Sequence, residues 1–334
     1  MNRKLNRQLM KRFLKYFFQF FLLLIVTFVI FFFWASSSTL EENGYAKLTT
    51  TDGITIPVND SIFSIVTYNI GYLSGMTNNL PIAKPKELFD KNLQKVLKET
   101  KLIAPDIIAF QEIDYNASRS YHVNQEEKIA NLGYPFRAKT INWDERYLPF
   151  PYWPVSMHFG KVVSGQSIIS KYQLKEQQRI VLPRVADAPF YRDAFYLERL
   201  AQVVKVVLNG KEVILINIHL EAFDKETRVK QFQEVLELFN AYKENYPTIL
   251  LGDFNARARN EKAIVQKMFG MKNVGNAAFD SYNLANTFDT KNPLIRIDYI
   301  FYTKNSIDYI SGKVLHNFEQ ASDHLPILME FKLR

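Results

Sequence analysis

The chain has 334 residues, no cysteine and a formal net charge of +8. Its length suits one large globular domain or two smaller ones, and the lack of cysteine excludes disulfides, a thiolate nucleophile and Cys-ligated zinc. Six of the positive charges (Arg3, Lys4, Arg7, Lys11, Arg12 and Lys15) precede position 16 with no acid among them, so the remainder carries only +2 and composition gives no argument for an extended nucleic-acid surface.

Residues 1–15 therefore read as a basic tail. Tyr16 to Trp34 follows as an uncharged run of 19 residues, which as a helix spans about 28 Å, close to the hydrocarbon thickness of a bilayer. Lys15 lies before it and Glu41 and Glu42 after it, an order that sets the amino terminus in the cytoplasm and the rest outside. A cleaved signal peptide has the same order, and Ala35-Ser36-Ser37 offers a small-residue site, but the run exceeds the usual length of a signal's apolar region. We read residues 16–35 as a single-pass membrane anchor, 36–60 as a polar linker rich in Ser, Thr and Gly, and 61–334 as an extracytoplasmic domain.

In that domain, IFSIVTYNI (62–70) reads as a buried strand. Lys86 to Ile103 places Leu88, Phe89, Leu93, Val96, Leu97 and Leu102 at helical spacing before Pro105 and Asp106, and DIIAFQEI (106–113) follows as a strand. VVKVVLNGKEVILINIHL (203–220) carries Asn209-Gly210 between two apolar runs, a strong hairpin signal. Thr227 to Tyr242 has the spacing of a helix, and strands are expected over 248–254, 296–302 and 326–333. Strands in hairpins with helices between them point to a layered α/β (α+β) domain.

Six stretches set polar residues where an apolar run meets a loop: Asn69 in TYNIGYL, Glu112 in FQEID, His219 in NIHLEAF, Asp253 and Asn255 in GDFNA, Asp298 in RIDYIF, and Asp323-His324 in SDHLPI. Singly, each is an ordinary turn residue, strand-end acid or core histidine. With five histidines against 34 acids, the chain suits a hard, oxygen-liganded cation better than a His-rich zinc site.

In order and spacing, the six stretches together resemble the endonuclease/exonuclease/phosphatase (DNase I-like) superfamily. The resemblance runs from about residue 62 to the end of the chain, with GDFNA and SDHLPI its most specific blocks and SGQSIISKY (164–172) similar to an internal strand of the family. It implies a four-layered sandwich of two packed mixed β-sheets flanked by helices, and Mg²⁺-dependent hydrolysis of a phosphate ester, a phosphodiester in a nucleic acid or phospholipid headgroup, with Mn²⁺ as the alternative ion. On this resemblance Glu112, Asp323 and the amide oxygen of Asn69 hold the metal. Asp253 orients or deprotonates the attacking water, and Asn255 holds the same group. His324 contacts the phosphate, with its ring fixed by Asp298. His219, a histidine in DNase I-like and sphingomyelinase-like members but not generally in exonuclease III-like ones, serves as general acid. A binding module that has lost activity is the rival reading. No feature points to a protein partner.

Weaker features get plainer readings. Trp143 to Phe159 is rich in aromatics and prolines and reads as a loop facing substrate or bilayer, or simply packed against the body. His158 reads as structural, and Arg296, beside Asp298, as facing a phosphate or, more plainly, as half of a surface ion pair. His122 and His316 have no companions that suggest a role.

Overall fold

The computed structural model describes residues 2–51, 61–78, 80–260, 263–279 and 285–334. A long helix, α1 (Asn2–Ala35), leads into a strand β1 (Ala46–Thr50). Then follow β2 (Phe63–Asn69), α2 (Lys86–Ile103), β3 (Ile107–Asp114), α3 (Gln125–Ala130), β4 (Phe136–Leu148), β5 (Gly160–Ser170) and β6 (Leu174–Val181). The second half holds α4 (Phe190–Asp193), β7 (Leu200–Leu208), β8 (Lys211–His219), α5 (Lys225–Tyr242), β9 (Thr248–Asp253), α6 (Gln266–Phe269), β10 (Val274–Asn276), β11 (Asp298–Thr303), β12 (Ile307–Val314) and β13 (Ile327–Leu333).

The strands form a seven-stranded sheet in the order β1-β4-β5-β3-β2-β13-β12 and a six-stranded sheet in the order β10-β11-β9-β8-β7-β6. Both are mixed: β2 runs parallel to β3, β8 parallel to β9, and the other pairs are antiparallel. Ile65, Ile107, Ile168 and Met329 of the first sheet pack against Val204, Leu215, Leu251 and Ile300 of the second. Phe89, Leu93 and Val96 of α2 cover the outer face of the first sheet, and Phe232, Val235 and Phe239 of α5 cover that of the second. This is the four-layered DNase I-like sandwich expected from the sequence.

Local chemistry explains several boundaries. Asp224 caps α5 by accepting from the Thr227 amide at 2.7 Å. Asn209 and Gly210 join β7 to β8 with φ of 48° and 78°, the positive values a two-residue hairpin turn requires. Gly252 has no alternative: a β-carbon there would lie 2.0 Å from the Ile218 carbonyl oxygen of the neighbouring strand, at φ +133°. That glycine lets β9 run close beside β8 and so brings Asp253 level with His219.

Two readings need correction. The linker over 36–60 is not a free tether where it is described. β1 pairs with β4, Ala46 opposite Thr140, and the buried Asp144 carboxylate accepts from the amides of Thr39 and Leu40 and from the hydroxyls of Thr39 and Tyr45. The folded body thus begins before residue 61; residues 52–60 lie outside the described residues. Among the described residues Arg296 forms no ion pair, on the surface or elsewhere. It is 1% exposed, and its guanidinium donates to the carbonyls of Asp298, Ala278, Ala285 and Ala277, tying two loops to the start of β11.

Next to this junction lies a buried acid with an unpartnered oxygen, Glu145, whose carboxyl is pushed up to about 8 by burial and then by Asp144. Between the ordinary carboxyl range and about pH 8 the folded chain keeps a proton that the unfolded chain has lost, so this group lowers stability as pH rises. Glu145→Gln should therefore gain on the order of 2 kcal/mol relative to wild type between pH 5 and pH 8. Urea midpoints at the two pH values measure this, and an equal mutant-to-wild-type difference at both contradicts it.

Candidate functional site

Strand register assembles the site. On the second sheet, Asp253 at the end of β9 is paired with His219 at the end of β8 on one side and with Asp298 at the start of β11 on the other. Three chemically active side chains thus share one row. On the first sheet, Asn69 ends β2 opposite Gln111 of β3, and Asp323 and His324 immediately precede β13, which pairs with β2. Glu112 sits at a bulge in β3, where the register shifts between Phe110 and Ile113, with φ of 52°. A bulge with a left-handed residue re-aims a side chain at a backbone cost, a recurring feature of functional sites.

The two sheets meet over Asp253. Its carboxylate, 1% exposed, accepts from Asn69 Nδ2 at 3.0 Å across the sandwich, from the Asn255 amide nitrogen at 2.9 Å and from Asn255 Nδ2 at 3.3 Å. His219 Nε2 lies 3.6 Å from it and His324 Nε2 3.8 Å. The Asp298 carboxylate lies 3.0 and 3.1 Å from His324 Nδ1. Beneath this row a buried amide network stitches the sheets together: Gln111 donates to Asn217 at 2.6 Å, Asn217 donates to Gln202 at 3.1 Å, and Gln166 donates to the Asn217 carbonyl at 3.0 Å.

Burial and neighbours push these groups apart. Asp253 is raised to about 7, mainly by burial and then by Asp298, against the pull of His324. His324 is held well above its usual range by Asp298 and Asp253 despite burial, which favours its imidazolium form. His219 is driven well below its range by burial, then by Arg199 and His324, so it is neutral. Asp323 rises to about 6 through burial and the nearby Glu112 carboxylate.

Two residues here carried no signal in the sequence. Asn78 Nδ2 donates to Glu112 at 2.8 Å and reaches Asp323 at 3.5 Å, so one amide lies between both carboxylates. Arg199, just before β7, places Nη1 2.6 and 3.0 Å from the two ring nitrogens of His219 and is 3.6 Å from Glu221. Of the remaining histidines, His158 bonds Tyr147 and the Tyr152 carbonyl, and His122 bonds Asn116.

The donor chemistry fits a divalent cation. Glu112 and Asp323 are carboxylates close enough to share one amide donor, and the charge on Glu112 raises Asp323. Asn69 Oδ1 accepts the Gly71 amide at 3.1 Å, which leaves it a second lone pair, and Gly71 abuts Asp323, since a β-carbon there would lie 2.9 Å from Asp323 Oδ1. Asp253, Asp298 and His324 also bring ligand atoms within 4.8 Å of one another. In that group His324 Nδ1 already faces the Asp298 carboxylate at 3.0 Å.

A sandwich of two mixed sheets with acids, amides and imidazoles converging at its strand ends defines a DNase I-like protein. The model of the Endonuclease/Exonuclease/phosphatase family matches residues 66–324, and the chain belongs to that family, whose members are phosphoric ester hydrolases. The chain is 22% identical to the Uncharacterized protein YbhP of Escherichia coli (strain K12) over 241 residues, covering 72% of this chain and 88% of that one. Among solved structures, an endonuclease/exonuclease/phosphatase from Beutenbergia cavernae superposes with a TM-score of 0.61 at 21% identity, over 82% of this chain and 72% of the other. The human Nocturnin catalytic domain, solved with a bound sulfate anion, gives 0.56 at 18% identity over 89% and 100%. A D. rerio TDP2 complexed with single-strand DNA product gives 0.56 at 19% over 82% and 100%.

Proposed function

We propose that the chain hydrolyses a phosphodiester with one divalent cation, Mg²⁺ or Mn²⁺, from a membrane anchor that holds its domain outside the cytoplasm. The observation that supports this reading best is the convergence of Asp253, His219, the Asp298–His324 pair and the Glu112/Asp323 carboxylates, from strands of both sheets, on one site.

A cation held by Glu112, Asp323 and Asn69 would neutralise a phosphoryl oxygen and the departing oxygen. Asp253, poised near neutrality, takes a proton from the attacking water, and Asn255 and Asn69 fix its orientation. The His324 imidazolium, held by Asp298, lies against the anionic phosphate and carries the proton that the departing oxygen needs. His219, neutral beside Arg199, is better suited to donate a hydrogen bond than to act as the acid the family resemblance implies, and Arg199 brings the positive charge that His219 lacks.

The anchor reading is supported by α1, whose span from Asn6 to Ala35 is long and apolar enough to cross a membrane, and whose most apolar 18-residue window the body leaves bare. The relative solved with a DNA product brings nucleic acid to the substrate question, and the anchor brings phospholipid. The purified chain should be offered duplex DNA, RNA, sphingomyelin and phosphoinositides with Mg²⁺ or Mn²⁺. Cation-dependent cleavage of a diester supports the proposal, and cleavage of none of them favours the inactive binding module.

A further inference from the structure

The aromatic stretch that ends at Phe159 is joined to the carboxy-terminal end of α1. Phe31 packs on Tyr147 with ring centroids 5.7 Å apart, and Phe32 packs on Phe190 at 5.8 Å and on Phe195 at 5.6 Å. Tyr147 in turn bonds His158 at 2.8 Å, and His158 bonds the Tyr152 carbonyl at 3.0 Å. Beyond these contacts the apron is bare: Trp153 is 79% exposed, Phe190 76% and Tyr152 60%, with Val155 and Tyr191 beside them. Isolated exposed apolar groups need no explanation, but a contiguous group around a membrane-type helix does.

The same apron reaches the cleft along two chains of contacts. Arg119 pairs at 2.8 Å with Asp114, two residues after Glu112 on β3, and lies 3.5 Å over the Tyr72 ring and 5.1 Å over Phe159. Phe159 packs on Phe150 at 5.3 Å, and Phe150 on Tyr152 at 6.1 Å. From His219 the path runs through Arg199 and Glu221 to Tyr196, beside Phe195 and hence to Phe32 of α1.

We propose that this apron, Pro149 to Phe159 with Phe190 and Tyr191, rests in the headgroup region of the bilayer that α1 crosses, and so holds the cleft against phosphodiesters displayed at that surface. The inference rests on the reading of α1 as an anchor and of the cleft as a phosphodiesterase site. The occupant follows from continuity. Phe31 and Phe32 lie about one helical turn before the end of α1, so rings stacked on them sit at the depth where the helix leaves the membrane. Aromatic rings with a polar atom favour that depth.

The cysteine-free sequence permits single reporters in the full-length chain, reconstituted in phosphatidylcholine/phosphatidylglycerol vesicles. A polarity-sensitive fluorophore on W153C should shift to the blue and be quenched by lipids brominated on their acyl chains. The same label on K211C, at the hairpin tip one full strand length from His219, should not respond. Equal behaviour of the two labels overturns the proposal, and chain that floats free of vesicles overturns the anchor reading instead. In the variant Y152S/W153S/V155S, turnover of soluble bis(p-nitrophenyl) phosphate should stay within twofold of wild type while hydrolysis of vesicle phospholipid falls at least tenfold. A fall of the same size in both, a fall in neither, or cleavage confined to oligonucleotides contradicts the inference. Failure of wild type on the soluble diester itself sinks the reading of the cleft, and the fluorophore still decides the surface.

Discussion

Asp253→Asn should lower turnover of a phosphodiester by at least about 10³-fold, within the range a positioned general base supplies. The acid has three donors fixed on it, from Asn69 and twice from Asn255, and two imidazoles within 3.8 Å. Its burial holds it near pH 7, where a base is both ionised and strong enough to accept a proton. Wild-type kcat/KM should therefore fall about tenfold per unit as pH drops below about 7, because the protonated acid cannot accept, and the residual activity of Asp253→Asn should lose that fall. Circular dichroism and an unchanged KM would show that the defect is chemical. Activity within tenfold of wild type would remove Asp253 from the reaction.

Glu112→Gln and Asp323→Asn should each weaken Mn²⁺ binding by about 100-fold or more, since each removes one of the two charges the cation neutralises. Loss of the Asp323 charge removes the cost of burying it and its repulsion with Glu112, so Asp323→Asn should unfold at a higher temperature than wild type in EDTA. That opposite movement of affinity and stability is expected of a binding site and not of a structural pair. Electron paramagnetic resonance titration of Mn²⁺ reads the first effect and thermal unfolding the second; unchanged Mn²⁺ affinity in both variants contradicts the assignment of the ligands.

The sandwich was largely legible because its strands are continuous apolar runs bounded by strong punctuation, such as Asn209-Gly210 and Pro105-Asp106. β1 was not: AKLTT is polar and mostly exposed, and only pairing with β4 makes it a strand. The site residues could be picked out because their blocks are short and ordered. Their distances could not, since the row His219–Asp253–Asp298 exists only through register between strands far apart in sequence. Asn78 sits among ordinary turn residues and reaches Glu112 only because the loop after β2 folds back on the cleft. Arg199 and Arg296 show the same limit. Arg296 reads as a surface charge and Arg199 gives no signal at all, yet both are buried by partners that tertiary structure alone supplies.

The most direct test is hydrolysis of bis(p-nitrophenyl) phosphate by the full-length chain after metal removal with EDTA, followed by stepwise return of Mg²⁺ or Mn²⁺. Colour release that vanishes on chelation and returns in proportion to the restored cation is the result required here. Release that survives chelation, or that no cation elicits, would contradict it.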